Sequence, residues 1–471
     1  MPKKTHKHHA PDEPSKIKPP TPFVTAAEGK ATGKKLRDST PRDALGPWQP
    51  NPNRPDPIAI LRAADATRQP ALVPLRYGRM LQSPFTFYRG SAGIMAADLA
   101  VTPATGVHVQ TCGDAHLMNF GVFATPERRV IFDINDLDET LPAPWEWDVQ
   151  RLAASFVLAA RSNGLSDAAG KTAAIEAANS YRLHMREFAE QDVMDIWYAR
   201  IDDSDFLPLI SASRRPIVEK RIAKASRSSG SELVYPKLVE HDGGQPRIRD
   251  TPPTLFHAQA EEHPGHLDTF AEVLAKYRET LPDDRRMLFD RFELVDVAIK
   301  VVGVGSVGTL CMVALFMSAA GRPFFLQVKE ANASVLEPYA GASHYRHHGE
   351  RVVMGQRLMQ PASDLFLGWV TGPQGRHFYL RQLRDVKIAA LIETYDADML
   401  KVYANACGWA LARAHAKASN PWTIAGYLGK QGSFDEALGK FALAYADQAE
   451  RDYDKLRAAV RAGLIDVELE R

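Results

Sequence analysis

The spacing of apolar residues changes several times along the chain, and each change predicts an element. Residues 1 to about 55 show little apolar periodicity and are rich in Pro, Lys, His, Asp and Thr, which predicts a disordered tail. Its K-K-T-H-K-H-H run would bind metal loosely, with no function implied. The stretch P-D-P-I-A-I-L-R-A-A-D-A-T-R-Q-P predicts a helix ended by Pro70. A dense aromatic segment, S-P-F-T-F-Y-R-G-S-A, then surrounds Arg89. V-H-V-Q-T-C alternates as a short strand, and Arg129 to Ile134 reads as a second. After Pro142 and Pro144 an amphipathic helix starts near Trp145 and carries Asp148, Arg151, Leu152, Ala153, Phe156 and Leu158. Helical spacing continues to about Ile201. Ala212 to Pro253 is rich in Arg, Lys, Ser and Gly and reads as an irregular or mobile connection. It contains one basic helix, Arg215 to Arg227, whose charges read as a solvated face.

From about Phe292 the period becomes two. V-D-V-A-I-K, a glycine turn, C-M-V-A-L-F-M and F-F-L-Q-V-K-E-A predict three strands, and H-F-Y-L-R-Q-L-R-D another. A helix is expected over Glu350 to Gln360. From Tyr395 to the end the chain is Ala-rich and helical, with L-A-R-A-H-A as its clearest part. No internal repeat is visible. The chain therefore divides into a tail (1–55), a first helical part with two acid-bearing loops (56–211), a connection (212–289), a small sheet unit (290–385) and a helical remainder (386–471).

Composition narrows the class. A length of 471 residues fits about three domain-sized units or one large two-lobed unit. Hydrophobic content of 45% and charged content of 24% describe an ordinary soluble globular protein. A net charge of +1 gives no case for nucleic-acid binding. Cys112, Cys311 and Cys407 are far apart and odd in number, which excludes a disulfide framework and fits a reducing cytoplasmic setting. The basic N-terminus lacks the apolar run of a signal peptide, and no apolar run reaches the length of a membrane span.

The chemistry concentrates between Cys112 and Asp148. An apolar strand there runs into Asp133, Asp136, Asp138 and Glu139, and unpaired carboxylates are costly to bury without a cation. Asp114, Asn119 and one of Asp133 or Asp136 read as the polar centre of a phosphate-handling site. Phosphoryl transfer needs a carboxylate near the attacking hydroxyl and oxygen ligands for Mg²⁺. Strand alternation does not decide between Asp133 and Asp136. Asp138 and Glu139 read as turn or helix caps, and Asp148 as a structural brace at a helix start. The glycines Gly303, Gly305 and Gly308, with Ser306, precede a β-type run. They read as a hairpin whose bare amides can approach phosphates rather than as a dinucleotide turn, which needs a helix directly after it. Lys329 lies in a strongly apolar strand and must find an anion; phosphate oxygens and a helix acid, Glu350 or else Glu337, are the expected partners. His415 and His116 read as packed, structural histidines.

These phrases resemble known families. G-D-A-H-L-M-N-F followed by a strand and D-L-D-E is similar to the catalytic and metal loops of the aminoglycoside phosphotransferase and protein-kinase-like superfamily. That resemblance implies Asp114 as catalytic base, Asn119 and Asp136 as metal ligands, and Asp148 as the helix-opening acid. The twelve-residue step to Asp148 favours Asp136 over Asp133. It also implies Gly303, Gly305, Ser306 and Gly308 as the glycine-rich loop and Lys329 as the phosphate-anchoring lysine. More closely, the stretch from about Phe85 to Tyr453 resembles the bacterial DUF2252 family, through F-Y-R-G-S-A, F-D-I-N-D-L-D-E-T, P-W-E-W-D-V-Q-R-L-A-A-S, G-V-G-S-V-G-T and Y-L-R-Q-L-R-D.

In kinases the glycine loop precedes the catalytic loop; here it follows, roughly 190 positions later. The resemblance therefore implies a circularly permuted, kinase-like α+β fold with a small antiparallel sheet lobe over a larger helical lobe. It implies ATP and Mg²⁺ in the cleft, with transfer to a small-molecule hydroxyl. The rival expectations are nucleotidyl (AMP) transfer from the same cleft and a non-catalytic nucleotide-binding pseudokinase. Neither nucleic acid nor membrane is expected as a partner.

Overall fold

Helices from the earlier and later parts of the chain share one hydrophobic core. The computed structural model describes residues 23–210, 212, 215–227, 230–257, 266–383 and 390–470. Helices Trp145–Ser162, Asp167–Phe188, Ala397–Ala418 and Ser433–Arg461 bury their apolar faces in a single large core. Small residues let them close up: a Cβ on Gly408 would lie 2.4 Å from Ala177 O. Trp145 stacks on Tyr181 with ring centroids 5.6 Å apart. Buried arginines tie early chain to late chain. Arg54 holds both Asp98 (2.6 Å) and Asp452 (2.5 Å), and Arg182 holds Asp435 (2.7 Å).

The four expected strands, joined by Gly368–Thr371 and Leu255–Phe256, form a six-stranded antiparallel sheet. Its order across the sheet is Gly368–Thr371, His377–Gln382, Pro323–Glu330, Cys311–Ser318, Phe292–Lys300 and Leu255–Phe256. Alternate side chains serve two faces. Ala314, Phe316, Phe324 and Val328 pack on helices His266–Glu279 and Asp283–Phe289. Val313, Leu315 and Phe325 pack on the hairpin Val239–Asp242 and Gln245–Ile248. The fold is thus α+β with small antiparallel sheets. Among the described residues no helix is long and apolar enough to cross a membrane.

Two expectations need correction. Within the supposed tail, Ala26–Ser39 is a helix started by a Thr25–Glu28 capping box and packed on Pro421–Leu428. Its contact face is glycine rather than aliphatic, so no apolar stripe announces it: a Cβ on Gly33 would sit 2.0 Å from Thr423 O. The K-K-T-H-K-H-H run lies outside the described residues. Ala212 to Pro253, expected to be irregular apart from the basic helix Arg215–Arg227, also carries a helix Gly230–Leu238 and the hairpin above, and the rest of the 212–289 connection carries the two helices that cover the sheet. Those elements are short or polar on one face, and their period is hidden by the surrounding Arg, Ser and Gly.

Candidate functional site

The site is built on two loops pinned to each other. Gly113 has φ +82°, and a Cβ there would lie 2.3 Å from Glu139 O. Only glycine lets the Asp114 loop press against the acidic loop this closely. Asp148, in the first turn of Trp145–Ser162, accepts from Cys112 N (2.6 Å) and Gly113 N (3.0 Å) and from the buried His415 Nε2 (3.1 Å). Tyr181 OH meets His415 Nδ1 at 2.8 Å. Asp148 is therefore the loop's brace and His415 its packed support, as the sequence reading expects. Leu117 N donates to Ser155 Oγ (3.0 Å), and Tyr403 OH donates to Phe120 O (2.9 Å), which fixes the far end of the loop.

Asp114, Asn119 and Asp136 line one cavity of about 470 Å³, and Gly303, Gly305 and Ser306 line it too. Asp114 Oδ1 accepts from Arg151 Nε at 2.5 Å. Burial pushes the Asp114 carboxyl up, while Arg151 and Arg89 pull it back. A carboxylate raised in a cleft suits a proton acceptor. The Asn119 amide donates to Asp114 O at 2.8 Å, which fixes its plane. His116 is buried with Nε2 3.7 Å from Asp114 Oδ2.

Gly308 stands outside the cavity wall. Its carbonyl accepts from Gln69 N at 2.7 Å. Its φ is +91°, and a Cβ there would lie 3.0 Å from Arg68 Cβ, so the position favours glycine. It anchors the hairpin; Gly303, Gly305 and Ser306 face the space.

Lys329 meets the acid loops across 191 positions of sequence. In the sheet it stands opposite Cys311 on one side and Tyr379 on the other. Its Nζ bonds Asp138 Oδ2 and lies 3.7 Å from Asp136 Oδ1, and Tyr379 OH donates to Asp138 Oδ1 at 2.5 Å. Burial alone would lower the lysine's pKa; Asp136 and Asp138 instead hold it well above the ordinary range. Burial likewise pushes Asp138 up, but Lys329, Tyr379 and Arg381 overturn this and leave its carboxyl below the usual range.

Three assignments change here. Asp138 is the lysine's partner and not a cap; neither Glu350 nor Glu337 pairs with Lys329. The helix His348–Met359 sends Arg351 instead, donating to Thr140 O (2.6 Å) and Asp138 O (2.8 Å). Glu139 Oε2 accepts from Val335 N at 2.8 Å. Asp133 is no cavity ligand: it is 2% exposed and bonded to Arg413, because alternation along Val130–Ile134 turns it into the helical core. That leaves Asp136 as the strand-end acid on the cavity. Lys329 itself is buried behind Asp136 and Asp138 and does not line the cavity.

Sequence reasoning missed Arg151, Arg89 and Tyr379. Arg151 had a signal, since it lies three positions after Asp148 and so on the same helix face. Tyr379 had none before the strand pairing was in hand.

Asn119 and Asp136 offer an amide oxygen and a carboxylate, the hard donors that Mg²⁺ takes together with phosphate and water. Among the described residues no group of three His, Cys, Asp or Glu is arranged to cage a metal ion. Such a pair suits a cation brought in with its phosphates.

No curated protein and no solved structure matches this chain. The phrases that build the cavity fall inside a longer match, residues 68–459, to a family model described as "Uncharacterized protein conserved in bacteria (DUF2252)", and the chain belongs to that family.

Proposed function

We propose that this protein is an ATP- and Mg²⁺-dependent phosphotransferase with a circularly permuted kinase-like fold, acting on a small-molecule hydroxyl. One observation carries the reading: the glycine hairpin and the Asp114–Asn119–Asp136 set, far apart in sequence, wall the same cavity.

In this reading the acceptor hydroxyl lies at Asp114, whose other oxygen is held by Arg151. The acceptor oxygen attacks the terminal phosphorus, and its proton passes to Asp114. The bond from that phosphorus to the bridging oxygen breaks, and ADP leaves with the electron pair. Asn119 and Asp136 would hold a Mg²⁺ ion arriving with the nucleotide, which would supply neutralisation of phosphate charge. The amides of Gly303, Gly305 and Ser306 cover the phosphates. Lys329 keeps Asp138 ionised and holds both Asp136 and Asp138 in place from behind. Catalysis of this kind is positioning and charge stabilisation.

The test uses ATP labelled at the α or the γ phosphorus, with candidate small-molecule acceptors and the full chain. Transfer of γ label that is lost in Asp114→Asn supports the reading. Transfer of α label would replace it with nucleotidyl transfer. Nucleotide binding with no transfer and no effect of Asp114→Asn would replace it with a sensor. A melting temperature unmoved by millimolar Mg·ATP would remove all three.

A further inference from the structure

The aromatic segment around Arg89 has no place in the mechanism above, yet it reaches the cavity. Arg89 ends the helix Pro84–Arg89 and lines the cavity with Asp114, Asn119 and Asp136, and its charge reaches Asp114. The hairpin tip touches it from above: a Cβ on Gly305 would lie 3.3 Å from Arg89 O.

The cations near this cavity are nearly all engaged. Arg76 bonds Asp65 (2.9 Å) and Gly90 O (3.0 Å). Arg68 bonds Val307 O. Arg151 holds Asp114 and Tyr88 O (3.0 Å), and Lys329 holds Asp138. Arg89 differs. Its Nε is buried without a hydrogen-bond partner, and among the described residues its guanidinium makes no hydrogen bond or ion pair. Asp114 is the carboxylate whose charge reaches it. A buried donor left unmet is costly, so such a group in a cavity calls for an anion. Beside it begins the helix Ala92–Leu99, and Ala92 and Gly93 line the same wall. Ile94 N is met by Ser91 O, while the amides of Ala92 and Gly93 have no acceptor within the helix and favour negative charge.

We infer that Arg89 binds the phosphoryl group being transferred, between the glycine hairpin and Asp114. This rests on the phosphotransferase reading and adds to it the residue that meets the terminal phosphate. Lys329 cannot serve there, being buried behind the acids that it pairs with. A guanidinium presents a planar fork of donors to phosphate oxygens, which an ammonium does not. The charge that builds on the equatorial oxygens during transfer is what an arginine at this place stabilises.

The test compares the binding of Mg·ATP and Mg·ADP by calorimetry to the full chain, wild type, Arg89→Gln and Arg89→Lys. Wild type should prefer Mg·ATP. Arg89→Gln should lose roughly tenfold or more in Mg·ATP affinity while Mg·ADP binding stays unchanged. Arg89→Lys should fall between them, and it carries the test alone should the Gln variant not fold. Unchanged Mg·ADP binding also reports an intact site, which a merely structural arginine would not leave behind. Equal weakening of both nucleotides, or of neither, overturns the assignment of Arg89 and leaves the phosphotransferase reading standing. Binding of neither nucleotide to wild type overturns both.

Discussion

At the scale of single residues, two aspartates three positions apart have opposite fates. Asp133 faces the helical core and is neutralised by Arg413; Asp136 faces the cavity. Asp136→Asn should weaken the Mg²⁺ dependence of nucleotide binding, read by titrating Mg²⁺ at fixed ATP. Arg413→Met should leave that dependence alone and cost stability instead, by about 3–5 kcal/mol in chemical denaturation, because it strands a buried charge. Alternation in the sequence left open which of the two faces the cavity, because Asp136 lies beyond the strand; the pairing of Val130–Ile134 with its neighbours turns Asp133 into the core. Glu146 supplies a pH test. It is buried beside Tyr181 and Tyr427, accepts from Thr105 N at 2.8 Å, and burial pushes its pKa up from 4.5 to about 7. The unfolded chain then releases this proton before the folded one does. Stability is unaffected below pH 4.5, falls as pH rises, and is reduced in full above pH 7, by about 3 kcal/mol. Glu146→Gln should raise the melting temperature clearly at pH 8 and much less at pH 5.

At the scale of elements, what the sequence made legible was apolar periodicity. The helix expected from Trp145, the strands from Phe292 and the basic helix Arg215–Arg227 stand where their spacing put them. What it concealed were contacts made by the lack of a side chain. The Ala26–Ser39 helix buries Gly29 and Gly33, so its packing face looks like a gap in the pattern. Gly33→Val would drive a branched side chain against the backbone of Thr423. It should lower the melting temperature, with a cost of about 1–3 kcal/mol or more. Gly113→Ala combines a left-handed φ with a clash on Glu139 O. It should impair transfer far more than it impairs folding, since it moves Asp114 relative to Asp136. The comparison of turnover with melting temperature checks this.

At the scale of the whole molecule, the candidate loops could be read in sequence but their meeting could not, because no local pattern records a contact across 191 positions. The phrases G-V-G-S-V-G and C-G-D-A-H-L-M-N indicated the walls; the cavity between them needed the fold. The same distance applies to the chain ends. Arg79 bonds Gly303 O (2.6 Å) in the glycine hairpin and Glu470 (3.1 Å) near the C-terminus. Arg79→Ala should therefore speed amide exchange in both segments at once, measured by hydrogen–deuterium exchange mass spectrometry.

The pinning of Gly113 beneath Glu139, with Asp148 gripping Cys112 from the other side, has a mechanical corollary. Asp114 and the strand-end acid Asp136 share one rigid floor. Above it the glycine span hangs on Arg68 and Arg79, so that in the proposed reading closure on a ligand would be a movement of this roof and not of the floor.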